Sequence, residues 1–254
     1  MLRSITIPGS VVSIGENAFF GCDSLTRVTI PNSVTSIGKD AFSLCTSLTD
    51  IVIPNSVTKI GAWAFKNCWS LKSITIPDSV KSIEYGTFYE CKNLTSVTIH
   101  NGITSLAGFD RCQKLREITI PSSVTYIGSF EFCASLTRIT IPNGVTSIVA
   151  GAFKSCYGLK KITIPNSVTS IGARAFESCN NLREITIPRS VTSIGEAAFK
   201  SCERLRKIHI PDSVISIGDE AFGNRWGHKV TVFCPKDSYA YYYCTKKVLK
   251  VKAV

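Results

Sequence analysis

Apolar residues along this chain follow one order of spacings, and that order recurs every 23 residues. In the copy that opens at Leu25, the apolar residues are Leu25, Val28 and Ile30, the last two alternating across Thr29. A period of two is that of a strand with one buried face. Its β-branched residues suit such a surface. Pro31 then ends the strand, because a residue without an N–H cannot continue a ladder. Proline stands there in nine of ten copies. An Asn–Ser or Asp–Ser pair usually follows and turns the chain. A second apolar pair, Val34 and Ile37, leads to Gly38. Glycine at this place in seven of ten copies predicts a backbone with positive φ. The copy closes on Ala41, Phe42 and Cys45; a spacing of three puts Phe and Cys on one side of a single helical turn.

The copies open at Leu2, Leu25, Leu48, Leu71, Leu94, Leu115, Leu136, Leu159, Leu182 and Leu205. No copy can bury its apolar residues alone, so each must stack on its neighbours. At roughly 1.5–3 kcal/mol per large buried side chain, the apolar set of each copy offsets the entropy of ordering it. A repeat of this length decides the architecture. It predicts one elongated α/β solenoid of about ten repeats, each with a strand and a short helical turn. Residues 230–235 read as a last strand and 238–247 as a closing helix. Residues 1–224 are therefore expected to form the solenoid and 225–254 a C-terminal cap. No polar cap precedes Leu2, so the strand over residues 2–7 is expected to be an open edge. Such an edge points either to a longer parent protein or to a dimer formed there.

The string Leu-x-x-Ile-x-Ile-Pro-x-Ser-Val-x-x-Ile-Gly-x-x-Ala-Phe-x-x-Cys, in register over residues 2–224, resembles the BspA-like subclass of leucine-rich repeats. That family occurs in bacterial surface proteins and some protozoan ones. The resemblance implies a curved solenoid with a parallel β-sheet on its concave side and a strand–helix cap. It also implies a surface or secreted location, and binding rather than catalysis, often adhesion to host cells or matrix through a protein or glycan. Fold does not fix function. The alternative is an intracellular protein-interaction scaffold or effector.

The eleven cysteines change little in this picture. Nine of them, from Cys22 to Cys202, fall once per copy in one register and point the same way. Parallel Cβ vectors do not make disulfides, so they read as a buried column of free thiols acting as small hydrophobes. A free-thiol column fits a reducing setting better than an oxidising one. Cys234 and Cys244 lie outside the column and are the one candidate disulfide. No Cys or His spacing fits zinc, and no metal or cofactor is expected.

Charge is uneven. The formal charge is +11. Residues 1–127 carry 11 Lys/Arg and 9 Asp/Glu (+2), and residues 128–254 carry 18 and 9 (+9). The excess concentrates at the second and third strand positions of the later copies. These hold Arg116, Arg138, Lys160, Lys161, Arg183, Arg206 and Lys207, interrupted by Glu117 and Glu184. His209 replaces a threonine at the fifth position. Such a strip is a candidate docking surface; it is equally what an exposed strand needs to stay solvated. Lys and Arg would neutralise phosphates, but the strip lacks interleaved aromatics for base stacking, so nucleic acid is not the expected partner. The fifth-position threonines of eight copies form a column that reads either as a hydroxyl array or as β-propensity with cross-strand pairing.

Two further irregularities mark candidate sites. The copies at Leu94 and Leu115 are 21 residues long, losing two residues before Phe109 and Phe130, and His100 replaces the usual proline. They suggest a site around His100 and Phe132, or drift within a repeat array. Trp63, Trp69, Tyr85 and Tyr89 fall at variable positions of neighbouring copies and form a candidate aromatic patch. The tyrosines from Tyr239 to Tyr243 are expected to pack the cap. Catalysis has little support. Histidines occur only at His100, His209 and His228. The spacing of His209 to Asp212 is a weak signal, and no glycine-rich phosphate loop follows a strand. No apolar run reaches the ~18 residues of a membrane span, and residues 1–30 lack the succession of a secretion signal.

Overall fold

A computed structural model of the chain describes residues 2–223, 230–247 and 249–254. The expected boundary between residues 224 and 225, and His228, lie outside the described residues. Each copy makes one turn of a coil. The Arg27–Thr29 segment and its equivalents stack in parallel along the solenoid as four short sheets: Ser4–Thr6 to Asp50–Ile51, Ser73–Ile76 with Ser96–Ile99, Glu117–Ile118 to Lys161–Thr163, and Glu184–Thr186 through Lys207–His209 and Thr231–Cys234 to Lys250–Ala253. The register is strict: Ser4 faces Arg27, Ile5 faces Val28 and Thr6 faces Thr29, and the same offset recurs at Arg138, Lys161 and their neighbours.

A second parallel ladder, unforeseen in the sequence, follows the turn. It consists of ten two-residue strands, from Ser13–Ile14 to Ser216–Ile217 among the described residues. Its isoleucines are buried while the preceding residue is exposed or half-exposed. Two residues hold a single buried side chain, too few to show a period.

The glycine that follows this ladder is not there for positive φ. A Cβ on Gly38 would lie 2.6 Å from the backbone nitrogen of Glu16, and one on Gly195 would lie 2.4 Å from that of Ala173. Neither glycine has positive φ. At these copies the backbone of the preceding copy passes too close for a side chain, although Glu84, Ala107 and Val149 stand at the same place in others. Positive φ falls elsewhere, at two residues of most outer corners, such as Asp40 and Leu44 or Arg174 and Ser178. Two left-handed residues within five break any helical run. The corners are accordingly turns rather than the expected helical turns, and the one α-helix among the described residues is in the cap.

Side chains tie the copies together as regularly as backbone does. Phe19 through Phe222 form a continuous stack with ring centroids 5.1–6.0 Å apart. The Cys45 thiol donates to the Phe19 carbonyl at 3.2 Å, and Cys68 to Phe42 likewise. The column thus supplies hydrogen-bond donors as well as apolar volume. The Ser33 hydroxyl donates to the Val11 carbonyl at 2.7 Å, and Thr35 to Val12 at 3.2 Å. The serine after the turn, the threonine just before the second ladder and the column cysteine, from Cys45 to Cys202, thus each satisfy a carbonyl of the copy before it.

At the far end the helix Tyr239–Lys246 is N-capped by Ser238, whose Oγ accepts from the Tyr241 N–H at 3.2 Å. Tyr243 packs edge-on against Phe222 and donates its hydroxyl to the Gly218 carbonyl at 2.7 Å, closing the phenylalanine stack. Tyr239 and Tyr242 stay exposed. The final strand is Lys250–Ala253, one strand beyond that foreseen, paired in parallel with Thr231–Cys234. Cys234 and Cys244 are both buried free thiols.

Candidate functional site

Alternation on the first ladder turns the third and fifth positions outward and the fourth inward, with Ile5 and His209 half-buried. The structure thereby brings the sequence-predicted cations onto one face. Arg138 stands beside Lys161, and Glu184 beside Lys207. Lys160, Arg183 and Arg206 flank them at the second position, all exposed. Lys160, Lys161, Asn166, Arg183 and Glu184 line a shallow groove of about 620 Å³, with Thr163 and Thr186 on its floor.

Pairing within the strip is uneven. Arg138 is spent on Glu117, 3.2 Å away, and Arg206 donates to the Glu203 carbonyl at 2.9 Å. Glu184 turns to His209, 3.5 Å away. Lys160, Lys161, Arg183 and Lys207 have no acidic partner among the described residues. His209 also stacks on Phe233 at 4.6 Å, and Lys252 lies over the same ring at 5.8 Å. The ion-pair partner of His209 is thus Glu184, and the weak sequence signal of Asp212 nearby has no ion pair behind it among the described residues.

Phe233, Lys250 and Lys252 were missed in the sequence. Lys250 continues the third-position row and Lys252 the fifth, through pairing with Thr231 and Phe233. The alternation of Lys250, Val251 and Lys252 is a strand signal. It was hidden because an edge strand this exposed has only Val251 partly buried.

The other candidates assemble in part. Trp63 meets Tyr85 at 5.0 Å and Tyr89 at 5.5 Å. Lys66 lies over Trp63 at 4.9 Å, so this patch is already occupied by a cation of its own chain. Trp69 stands apart under Lys92, at 4.6 Å. His100, at the end of Ser96–Ile99, lies 3.9 Å from Asp78. Phe132 is on the outer corner under Arg111, at 4.8 Å. The two do not form one site.

The short copies hold a different feature. In full copies the residue after Phe bonds back three residues, as Ser43 N–H does to the Asp40 carbonyl. The shortened corner removes that acceptor for Glu131. Its N–H is taken instead by Asp110 Oδ1 and Ser129 Oγ, both at 3.0 Å. Asp110 is 5% exposed, and its second oxygen has no partner. Burial pushes its carboxyl above the usual range, against the pull of the bonds from Ser129 and Glu131. Burial raises the column thiols too, Cys45 to about 12 and Cys68 in the same direction.

Parallel ladders, one buried leucine per turn and an exposed polar strand face define a leucine-rich repeat solenoid. The chain belongs to the BspA type leucine-rich repeat family, whose repeat-region model matches residues 1–108 and 107–229. Proteins of this family are generally non-catalytic repeat scaffolds. Among solved structures, it is similar to a leucine rich cell surface protein from Faecalibacterium prausnitzii. Identity is 32%, covering 95% of this chain and 81% of that one, with a TM-score of 0.55. A Treponema pallidum leucine rich repeat protein is 29% identical over 71% of this chain and 78% of its own, with a TM-score of 0.50. The pneumococcal vaccine antigen PcpA shares the fold at 20% identity and a TM-score of 0.60, covering 99% and 79%. No curated protein matches the chain in sequence.

Proposed function

We propose that this chain is the non-catalytic binding module of a bacterial surface or secreted protein, and that it docks an acidic macromolecule on its basic strip. The observation that carries the reading is the set of unpaired cations Lys160, Lys161, Arg183 and Lys207, on one sheet face around an open groove. Unpaired charge on a rigid face attracts a partner of opposite sign and speeds its encounter. The surface protein of similar sequence from F. prausnitzii supports the location. Reversing Lys160, Lys161 and Lys207 to Glu should abolish binding to extracellular matrix or host cells, and wild-type binding should weaken with salt. Matrix binding that survives both the reversal and high salt rejects the site.

The second reading is an intracellular scaffold, favoured by eleven free thiols. Burial shields ten of them and suppresses their ionisation, so the column also tolerates an oxidising exterior. Fractionation of the source cells, followed with an antibody, separates the two readings. The strand Ser4–Thr6, paired on one side with Arg27–Thr29, is also proposed to pair with a second chain on its other side, and sedimentation of a monomer at high concentration would reject that.

A further inference from the structure

From the spacing of the unpaired cations, and resting on the proposed docking role of the strip, we infer that its ligand is a linear polysaccharide in which an acidic sugar alternates with a neutral one. The third-position row runs Lys161, Glu184, Lys207, Thr231, Lys250, one residue per copy, and the last four are paired in one ladder. Strands of a ladder are about 4.8 Å apart, so Lys207 and Lys250, two strands apart in one ladder, stand ~9.6 Å apart along the solenoid, with Lys161 two copies before Lys207. That is the length of two linked pyranose rings. The intervening positions repel or ignore negative charge: Glu184 is an acid held toward His209, and Thr231 is neutral. A chain charged on every ring would place an anion against Glu184. A chain charged on every second ring would not.

The rest of the surface fits a sugar better than a protein. Thr140, Thr163 and Thr186 are exposed and their hydroxyls bond to no described group, whereas Thr35, Thr58 and Thr169 on the neighbouring face donate to backbone. Free hydroxyls are partners for sugar hydroxyls. From Arg138 to His209 the ladder exposes no large apolar side chain. Protein interfaces are anchored by such residues at their centre. Lys160 and Arg183 add charge along the rim, and an extended chain needs no deep pocket.

The experiment uses the full chain and hyaluronan oligosaccharides, which carry one carboxylate per disaccharide, with heparin and polyglutamate alongside. Calorimetry should show hexasaccharide binding at least tenfold tighter than tetrasaccharide, because three acidic sugars are needed to reach Lys161, Lys207 and Lys250 together. Lys207→Glu should lose at least tenfold, while Arg27→Glu, on the same face of the second copy, should change little. Glu184→Gln should leave hyaluronan binding in place and strengthen heparin binding. Failure of hyaluronan to bind, or binding indifferent to Lys207, overturns the inference. If polyglutamate or heparin binds through these lysines and hyaluronan does not, the docking strip stands and the alternating polysaccharide falls.

Discussion

A β-carbon on Gly38 would strike the backbone of the preceding copy, whereas one on Gly15, at the same place in the first copy, meets nothing within 4 Å. The two glycines therefore separate close approach from backbone conformation. Gly38→Ala should cost about 1–3 kcal/mol through overpacking, and Gly15→Ala should stay within about 0.5 kcal/mol. Equal losses in chemical denaturation would restore the positive-φ explanation. Cysteine gives a second test at this scale. Cys22 is half-buried and the other ten thiols are buried. A chromogenic thiol reagent should find one fast equivalent in the native protein and the rest only after unfolding. Several fast equivalents would mean that the column is open. The column was legible from its register alone, but the thiol-to-carbonyl bond was not, because it depends on which carbonyl the neighbouring copy presents.

Elements differ in how far they could be foreseen, and the reason is how many buried residues each one holds. The first ladder was legible because Val28 and Ile30 alternate within one strand. The second was not, since Ser36–Ile37 has a single inward side chain. The corners read as helical because Phe and Cys are three apart, a spacing that a turn with two left-handed residues also satisfies. The short copies show what a corner requires. Losing two residues removes an acceptor, and the Asp110 carboxylate takes its place. Because burial raises the Asp110 carboxyl above its unfolded value, its contribution is full below the unfolded pKa and is lost as pH rises through the folded one. Asp110→Asn keeps the Oδ1 acceptor and removes the buried charge. This variant should be more stable than the parent at neutral pH and lose the advantage in mild acid. Thermal melts across that range should show the two curves converge; a constant difference would show that Asp110 is not titrating.

At the scale of the whole molecule, the repeat made the shape legible and concealed the site. Which half carries the charge could be read directly, and so could the row of cations. Which lysines stay free could not, because that depends on neighbours in space, as with Arg138 against Glu117. The cap's contribution through Lys250 and Lys252 needed the pairing of Lys250–Ala253 to be seen.

The direction of the bonds between copies has a mechanical consequence. They run along the solenoid axis, from each coil to the next, as from Thr58 N–H to the Thr35 carbonyl. A tether pulled at both ends would load one rung at a time instead of shearing a sheet at once. Under tension the array should yield coil by coil at low force, each full copy releasing 23 residues, roughly 75–85 Å of contour. The two 21-residue copies should give steps about 7 Å shorter. Single-molecule stretching should record this ladder of small extensions, and one tall peak followed by full extension would contradict it. A protein built this way would behave on a cell surface as a graded spring, lengthening under drag while its remaining coils stay folded.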